Sequence, residues 1–208
     1  MLLLYDAPVS SNALKVRFLL EELGLPYERR EIPIAKPRSD WYLALNPHGL
    51  IPAVSDDGQP IISESNTIIR FLANREGRDD LYPTDPHDRA RVDEFLDAFS
   101  TRIRGQFYRH EALAMGHTRE GGFGTRPPDR EGADQMAVTI APTLGSLDKW
   151  VTGGGAVLDR FTIADCALAP ILYRTQHSGL SLDPYPNLTK LREALVSRPG
   201  FISAGPII

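Results

Sequence analysis

The most constraining feature of the chain is its opening strand–helix–strand unit. Residues 2–5 (Leu-Leu-Leu-Tyr) are apolar and read as a buried strand. From about Asn12 to Leu23, Val16, Leu19, Leu20 and Leu23 recur at helical spacing and give one buried face. Gly24 then supplies the residue after the helix, and Pro26 prevents its continuation. Residues 27–34 are strand-like again. Two strands joined through a helix lie parallel in one sheet, so the chain opens as an α/β layer. The turn between the first strand and the first helix is Pro8-Val9-Ser10-Ser11-Asn12. Its three polar side chains all suit a helix cap, because each can accept from free backbone amides. The same turn can instead leave a hydroxyl aimed at an anionic ligand atom held at the positive end of the helix.

The layer is completed over the next fifty residues. Asp40–Leu45 reads as a short helix broken by Asn46-Pro47. Asp57-Gly58 is a two-residue hairpin signal between strands at 53–55 and 59–62. A helix begins near Ser65, carries Ile68, Ile69 and Leu72 on one face, and stops near Gly77. The expected order is therefore β-α-β-α-β-β-α over residues 1–78. Residues 79–86 form a polar connector with two prolines, and residues 87–208 show helical periodicity alone.

In that second part Val92, Phe95, Leu96, Phe99, Ile103 and Phe107 trace one stripe of a long helix. Residues 116–128 are a Gly/Arg/Pro-rich loop without apolar period, expected to be mobile. Met136, Ala137, Ile140, Ala141, Leu144 and Leu147 mark a second helix, which Pro142 should kink. Gly153-Gly154-Gly155 is a flexible turn without the lysine or strand–helix frame of a phosphate cradle. Phe161-Thr162-Ile163-Ala164-Asp165-Cys166 reads as a capping box, with Thr162 at the N-cap, Asp165 at N3 and Phe161 with Cys166 as its apolar staple. Residues 188–195 form the last expected helix.

Composition narrows the function classes. A net charge of −4 argues against nucleic acid as a partner. No apolar run approaches the ~20 residues needed to span a bilayer, and Met1-Leu2-Leu3-Leu4 is too short for a signal-peptide core, so a cytoplasmic protein is expected. A single cysteine, Cys166, excludes an internal disulfide and a Cys-x-x-Cys pair. The five histidines show no metal spacing.

Four motifs in this order resemble the cytosolic glutathione transferases, over essentially the whole chain. They are Ser10-Ser11-Asn12 followed by Lys15-Val16-Arg17, then Asn46-Pro47-His48-Gly49-Leu50-Ile51-Pro52, then Glu64-Ser65 opening a helix, and Thr162-Ile163-Ala164-Asp165. The resemblance implies a thioredoxin-like α/β N-terminal domain that binds glutathione as co-substrate and an all-α C-terminal domain that supplies the electrophile pocket. It implies a homodimer, and a transferase of the kind used in detoxification, acting on a hydrophobic electrophile.

Site residues follow from the same resemblance. Pro52 would be the cis-proline of the fold, exposing the amide and carbonyl of Ile51 to pair with the cysteinyl backbone of glutathione. Glu64 and Ser65, at a helix N-terminus, would receive the γ-glutamyl group, the carboxylate on free amides and the ammonium near Glu64. Ser10 is similar to the catalytic serine of members that read Ser-Gly-Asn or Ser-Ser-Cys at this turn; Ser11 and Asn12 are the alternative donors. The energetics allow it. A thiol with a pKa of ~8.5 is a few per cent thiolate at pH 7, and lowering that by two units takes roughly 2.7 kcal/mol. A hydrogen bond to a charged acceptor supplies ~1.5–3 kcal/mol and a helix end ~0.3–1. One hydroxyl at this helix end is enough.

The chain departs from the family pattern before Ile51, where Leu50 stands in place of a polar residue that reaches the glycyl carboxylate. Lys36 is the preferred substitute, with Arg38 and His48 as alternatives. Phe107 and Tyr108 fall where the family's second-substrate pocket forms, and Arg102 or Arg104 could receive an acidic substrate. Two other functions share the motifs: a glutathione-dependent isomerase of the maleylacetoacetate type, which also carries paired serines, and a non-catalytic module that keeps the fold for binding or assembly.

Overall fold

The computed structural model describes residues 1–118, 124–151 and 155–207. Its first part is a four-stranded mixed sheet. Strands β1 (Leu2–Asp6), β2 (Tyr27–Glu31), β3 (Ala53–Asp56) and β4 (Ile62–Ser63) lie in the order β2-β1-β3-β4. β1 pairs with β2 in parallel, as the helical crossover α1 (Ser11–Leu23) requires, and with β3 in antiparallel register. α2 (Asp40–Leu45) and α3 (Ser65–Arg75) complete this layer. Asp57 and Gly58 both take positive φ, 46° and 75°, which is the twist a two-residue hairpin turn needs. Two strands are shorter than their patterns predict. β2 stops at Glu31 because Pro33 has no amide to extend the ladder, and Pro60 does the same before β4.

The second part is helical: α4 (Pro86–Ala98), α5 (Arg104–Met115), α6 (Arg130–Trp150), α7 (Ile163–Ser178), α8 (Pro186–Val196) and α9 (Pro199–Ser203). α9 was not expected; Pro199 opens it at a position where a missing amide costs nothing. α4 and α5 form the expected long helix, but they are joined by a π-helical turn, Phe99–Ile103. The apolar stripe holds through it: Val92, Phe95, Leu96, Phe99, Ile103 and Phe107 are all buried. Residues 119–123 of the Gly/Arg/Pro-rich loop, and Gly153-Gly154, lie outside the described residues.

One apolar core runs through both parts. Phe18 of α1 meets the edges of Phe161 and Phe201, at 5.8 and 5.2 Å between ring centres. The capping box forms as read: Ala164 N–H donates to Thr162 Oγ1, and Thr162 N–H donates to Asp165 Oδ2 at 2.8 Å. Asp165 Oδ1 also accepts from Val157 N–H at 2.7 Å, so one buried carboxylate ties the preceding loop to α7. No helix among the described residues is long and apolar enough to cross a membrane.

Candidate active site

The turn after β1 is held from three directions. Ser10 N–H donates to Ala7 O at 2.8 Å and closes the turn itself. Arg17, buried on α1, grips the Asp6 carboxylate at 2.8 Å and donates its Nη2 to Pro8 O at 3.1 Å. Arg174, buried on α7, donates to Val9 O. Successive carbonyls of the turn are thus fixed by arginines from the two parts of the chain.

Ser10 is the N-cap of α1, and its Oγ accepts from Ala13 N–H at 3.3 Å. Capping uses a lone pair and leaves the hydroxyl proton free to donate elsewhere. The capping and donor readings of this serine are therefore compatible. No acidic residue lies in the first turn of α1, so the positive end of the helix is not neutralised from within. Ser11 is buried and accepts from Arg104 Nη2 at 2.7 Å.

These residues open onto a cleft of about 470 Å³. One wall carries Ser10, Ser11, Asn12, Lys36, Leu50 and Ile51, and the other carries Ser100, Arg104, Tyr108 and His117. The Ile51–Pro52 bond is cis. Among the described residues the amide and carbonyl of Ile51 meet no hydrogen-bond partner. The carbonyl before them is anchored, since Leu50 O accepts from the Tyr42 hydroxyl at 2.6 Å and from Asn46 Nδ2 at 2.9 Å. Burial pushes the Tyr42 hydroxyl up, which keeps it a donor.

Of the three cations proposed in place of the residue that Leu50 replaces, Arg38 lines the cleft and braces its loop, donating through Nε and Nη1 to the carbonyls of Pro33, Ile34, Ala35 and Gly49. Lys36 is exposed on the cleft wall, and His48 is not among the lining residues. Glu64 and Ser65 open α3 outside the cleft lining. Glu64 has φ of 68°, a left-handed conformation that a side chain of this kind adopts at a cost of order 1–3 kcal/mol. Ser65 Oγ accepts from Lys15 Nζ at 3.0 Å. Asn66, next along, links Lys15 to Leu96 O and to Ser100 Oγ on the cleft wall.

Phe107 belongs to the core, at 1% exposure, and does not line the cleft; Tyr108 does. Phe107 faces inward with Ile103, on the stripe that the spacing predicts, while Arg104 and Tyr108 line the opening. Arg104 is the more informative residue. Its guanidinium lies 5.3 Å from the Tyr108 ring centre and 3.9 Å from buried Glu111. Its Nε and Nη1 are buried and have no hydrogen-bond partner among the described residues.

Comparison with known proteins bears on this arrangement. Residues 9–75 match the model of the glutathione S-transferase N-terminal domain, and residues 126–199 match that of its C-terminal domain. Glutathione S-transferase GstB of Escherichia coli (strain K12) is 32% identical over 96% of this chain and 95% of its own. The chain belongs to the glutathione S-transferase family. A probable maleylacetoacetate isomerase of Caenorhabditis elegans is 30% identical over 98% of this family member and 92% of its own length. The apo structure of glutathione S-transferase III superposes with a TM-score of 0.79 at 28% identity, covering 98% of this chain and 94% of that one.

Several residues of this transferase-family site have no role assigned by the motifs, although Lys15 stands within one of them. Lys15 and Arg174 are buried cations in helices whose neighbours are apolar, which is the signal that marks them. His117 is buried at the cleft wall, and burial together with Arg174 brings its pKa down to about 4.

Proposed function

We propose that this protein binds glutathione in the cleft, ionises its thiol at the N-terminus of α1, and adds the thiolate to an electrophile that carries a carboxylate. Ser10 donates its hydroxyl proton to the sulfur, with Ser11 and Asn12 as neighbouring donors. The thiol proton leaves to water. The amide and carbonyl of Ile51, beside Pro52, pair with the cysteinyl backbone. Ser65 and the first amides of α3 take the γ-glutamyl carboxylate, Glu64 faces the ammonium, and Lys36 reaches the glycyl end.

The observation that carries the electrophile's class is Arg104. Arg104 stands at the cleft wall with its Nη2 on the Ser11 hydroxyl, and its permanent positive charge beside the proposed thiol site favours an electrophile that carries a carboxylate. Tyr108 flanks it with an aromatic face for the apolar part of the molecule. The same observation favours a second reading, cis–trans isomerisation of the maleylacetoacetate type. There the thiolate adds to one carbon of the double bond, the resulting single bond rotates, and elimination returns glutathione. Paired Ser10-Ser11 and relatives named as maleylacetoacetate isomerases support it. Both readings include a cytoplasmic homodimer, which the family resemblance supports.

Turnover of maleylacetoacetate against chlorodinitrobenzene separates them. Faster turnover of the neutral aromatic chloride supports a transferase but removes the carboxylate from the reading, and much faster turnover of the diacid, with glutathione returned unconsumed, supports the isomerase. Turnover of neither, with glutathione bound, leaves a binding module.

A further inference from the structure

Lys15 sits in the second turn of α1 and is 2% exposed. Its Nζ donates to Ser65 Oγ at 3.0 Å and to Asn66 Oδ1 at 2.6 Å, and lies 4.7 Å from the centre of the Phe99 ring. Those partners are neutral. Among the described residues no carboxylate forms an ion pair with it. The charged or ionisable groups facing it are Arg104 from α5, Cys166 from α7, and Glu64 and Arg70 at and on α3. Burial first and Arg104 second oppose its charge and bring its pKa from 10.5 to about 7; Cys166 and Glu64 pull the other way. A buried ammonium without an anion is a site waiting for one.

The geometry says where the anion goes. Ser65 Oγ receives a proton from Lys15, so the serine's own O–H points away from the lysine. It is left to a ligand at the N-terminal end of α3, where the first-turn amides of an 11-residue helix are also unspent. Asn66 cannot turn to compete, because its Nδ2 is held by Leu96 O and Ser100 Oγ, both at 2.9 Å.

We propose that Lys15 is a positioning residue for the γ-glutamyl carboxylate of glutathione, which supplies the missing counter-charge through Ser65 and draws a proton onto the lysine as it binds. The inference rests on the glutathione reading above and assigns a role to a residue that does not line the cleft. Near neutral pH the free lysine is shared between its charged and neutral forms, and a bound carboxylate shifts it to the charged one. Proton uptake is therefore expected around and above pH 7 and absent well below it, where the lysine is already charged. Affinity falls as pH rises through the same window.

The thiol of glutathione releases its own proton, so the probe is S-methylglutathione, which has none. Calorimetric titration near pH 7.5 in two buffers of different ionisation heat reads the uptake directly. Wild type should show a fraction of a proton taken up, and none near pH 5. An analogue lacking the α-carboxylate of the γ-glutamyl group should show none at either pH. Lys15→Arg, permanently charged, should bind without buffer dependence and close to wild-type affinity. Lys15→Met should bind about tenfold or more weakly, the loss expected for one charge-assisted contact. Wild-type binding without buffer dependence, uptake that survives in Lys15→Arg, or wild-type affinity in Lys15→Met overturns the inference while leaving glutathione binding intact. If wild type gives no heat with S-methylglutathione at millimolar concentration, the glutathione reading falls and this inference with it. Should Lys15→Met not fold, the wild-type buffer series and Lys15→Arg decide.

Discussion

Arg104 donates to the hydroxyl of Ser11 at 2.7 Å, from the first residue after a π-helical turn to the first residue of α1. One guanidinium therefore touches the proposed thiol site and brings a positive charge to the wall of the cleft. Arg104→Gln should raise KM for a carboxylate-bearing electrophile by about tenfold or more, the loss of a charge-assisted contact. KM for a neutral aromatic chloride should move much less. Arg104→Lys should recover part of the loss, because it restores the positive charge but not the guanidinium's contact with Ser11. Equal effects on both electrophiles would remove Arg104 from substrate recognition.

The ion pair of Arg17 with Asp6 is buried on both sides, with Pro8 O as a further acceptor. Arg17→Met leaves the Asp6 carboxylate in the core with only the half-exposed Arg29 beside it. Breaking one side of such a pair costs about 3–5 kcal/mol. Denaturant titration should show that loss, and Asp6→Leu with Arg17→Met together should recover much of it.

His117 is neutral in the folded protein near pH 7, with a pKa lowered to about 4 by burial and by Arg174; burial also lowers His110. In the unfolded chain these imidazoles take up protons from ~6.5 downward. Between those values the unfolded state binds more protons, so stability rises with pH there. The contribution is complete above ~6.5 and is lost as pH falls toward 4. Thermal midpoints measured from pH 7 to 4 should drop more steeply for wild type than for His117→Gln. Parallel curves would show that another group carries the acid sensitivity.

Asp165 accepts amide protons from Thr162 and Val157 in a buried setting. Asp165→Ala leaves both without that acceptor and removes the N-terminal anchor of α7. A loss of about 1–3 kcal/mol is expected for each unsatisfied buried donor, read as a lowered denaturant midpoint with little change in slope. A change within error would mean that water or Thr162 Oγ1 replaces the carboxylate.

What the sequence makes legible here is local. The capping box of Thr162 and Asp165, the Asp57-Gly58 turn and the parallel crossover each depend on residues a few positions apart, whose chemistry admits few conformations. Ser10, Ser11 and Asn12 reach the cleft through such a local feature, the turn that opens α1, whereas Lys36 and Ile51, named from the family resemblance, also line it. Phe107 lies in the core, as its place on the apolar stripe indicates, and not in the pocket that the family resemblance implies for it. Lys15 and Arg174 were not legible as site components, because a buried cation is recognised by partners 50 and 165 residues away. His117 is likewise defined by neighbours distant in the chain.

The central claim is that glutathione is held in this cleft as a thiolate, by a serine hydroxyl at the positive end of α1. Ultraviolet thiolate absorbance of bound glutathione, titrated against pH, reads it most directly. The account predicts ionisation about two units below the free thiol's ~8.5 in wild type and a return toward that value in Ser10→Ala. Bound glutathione that titrates like the free thiol, or an acidified thiol that survives Ser10→Ala and disappears in Ser11→Ala, would contradict it.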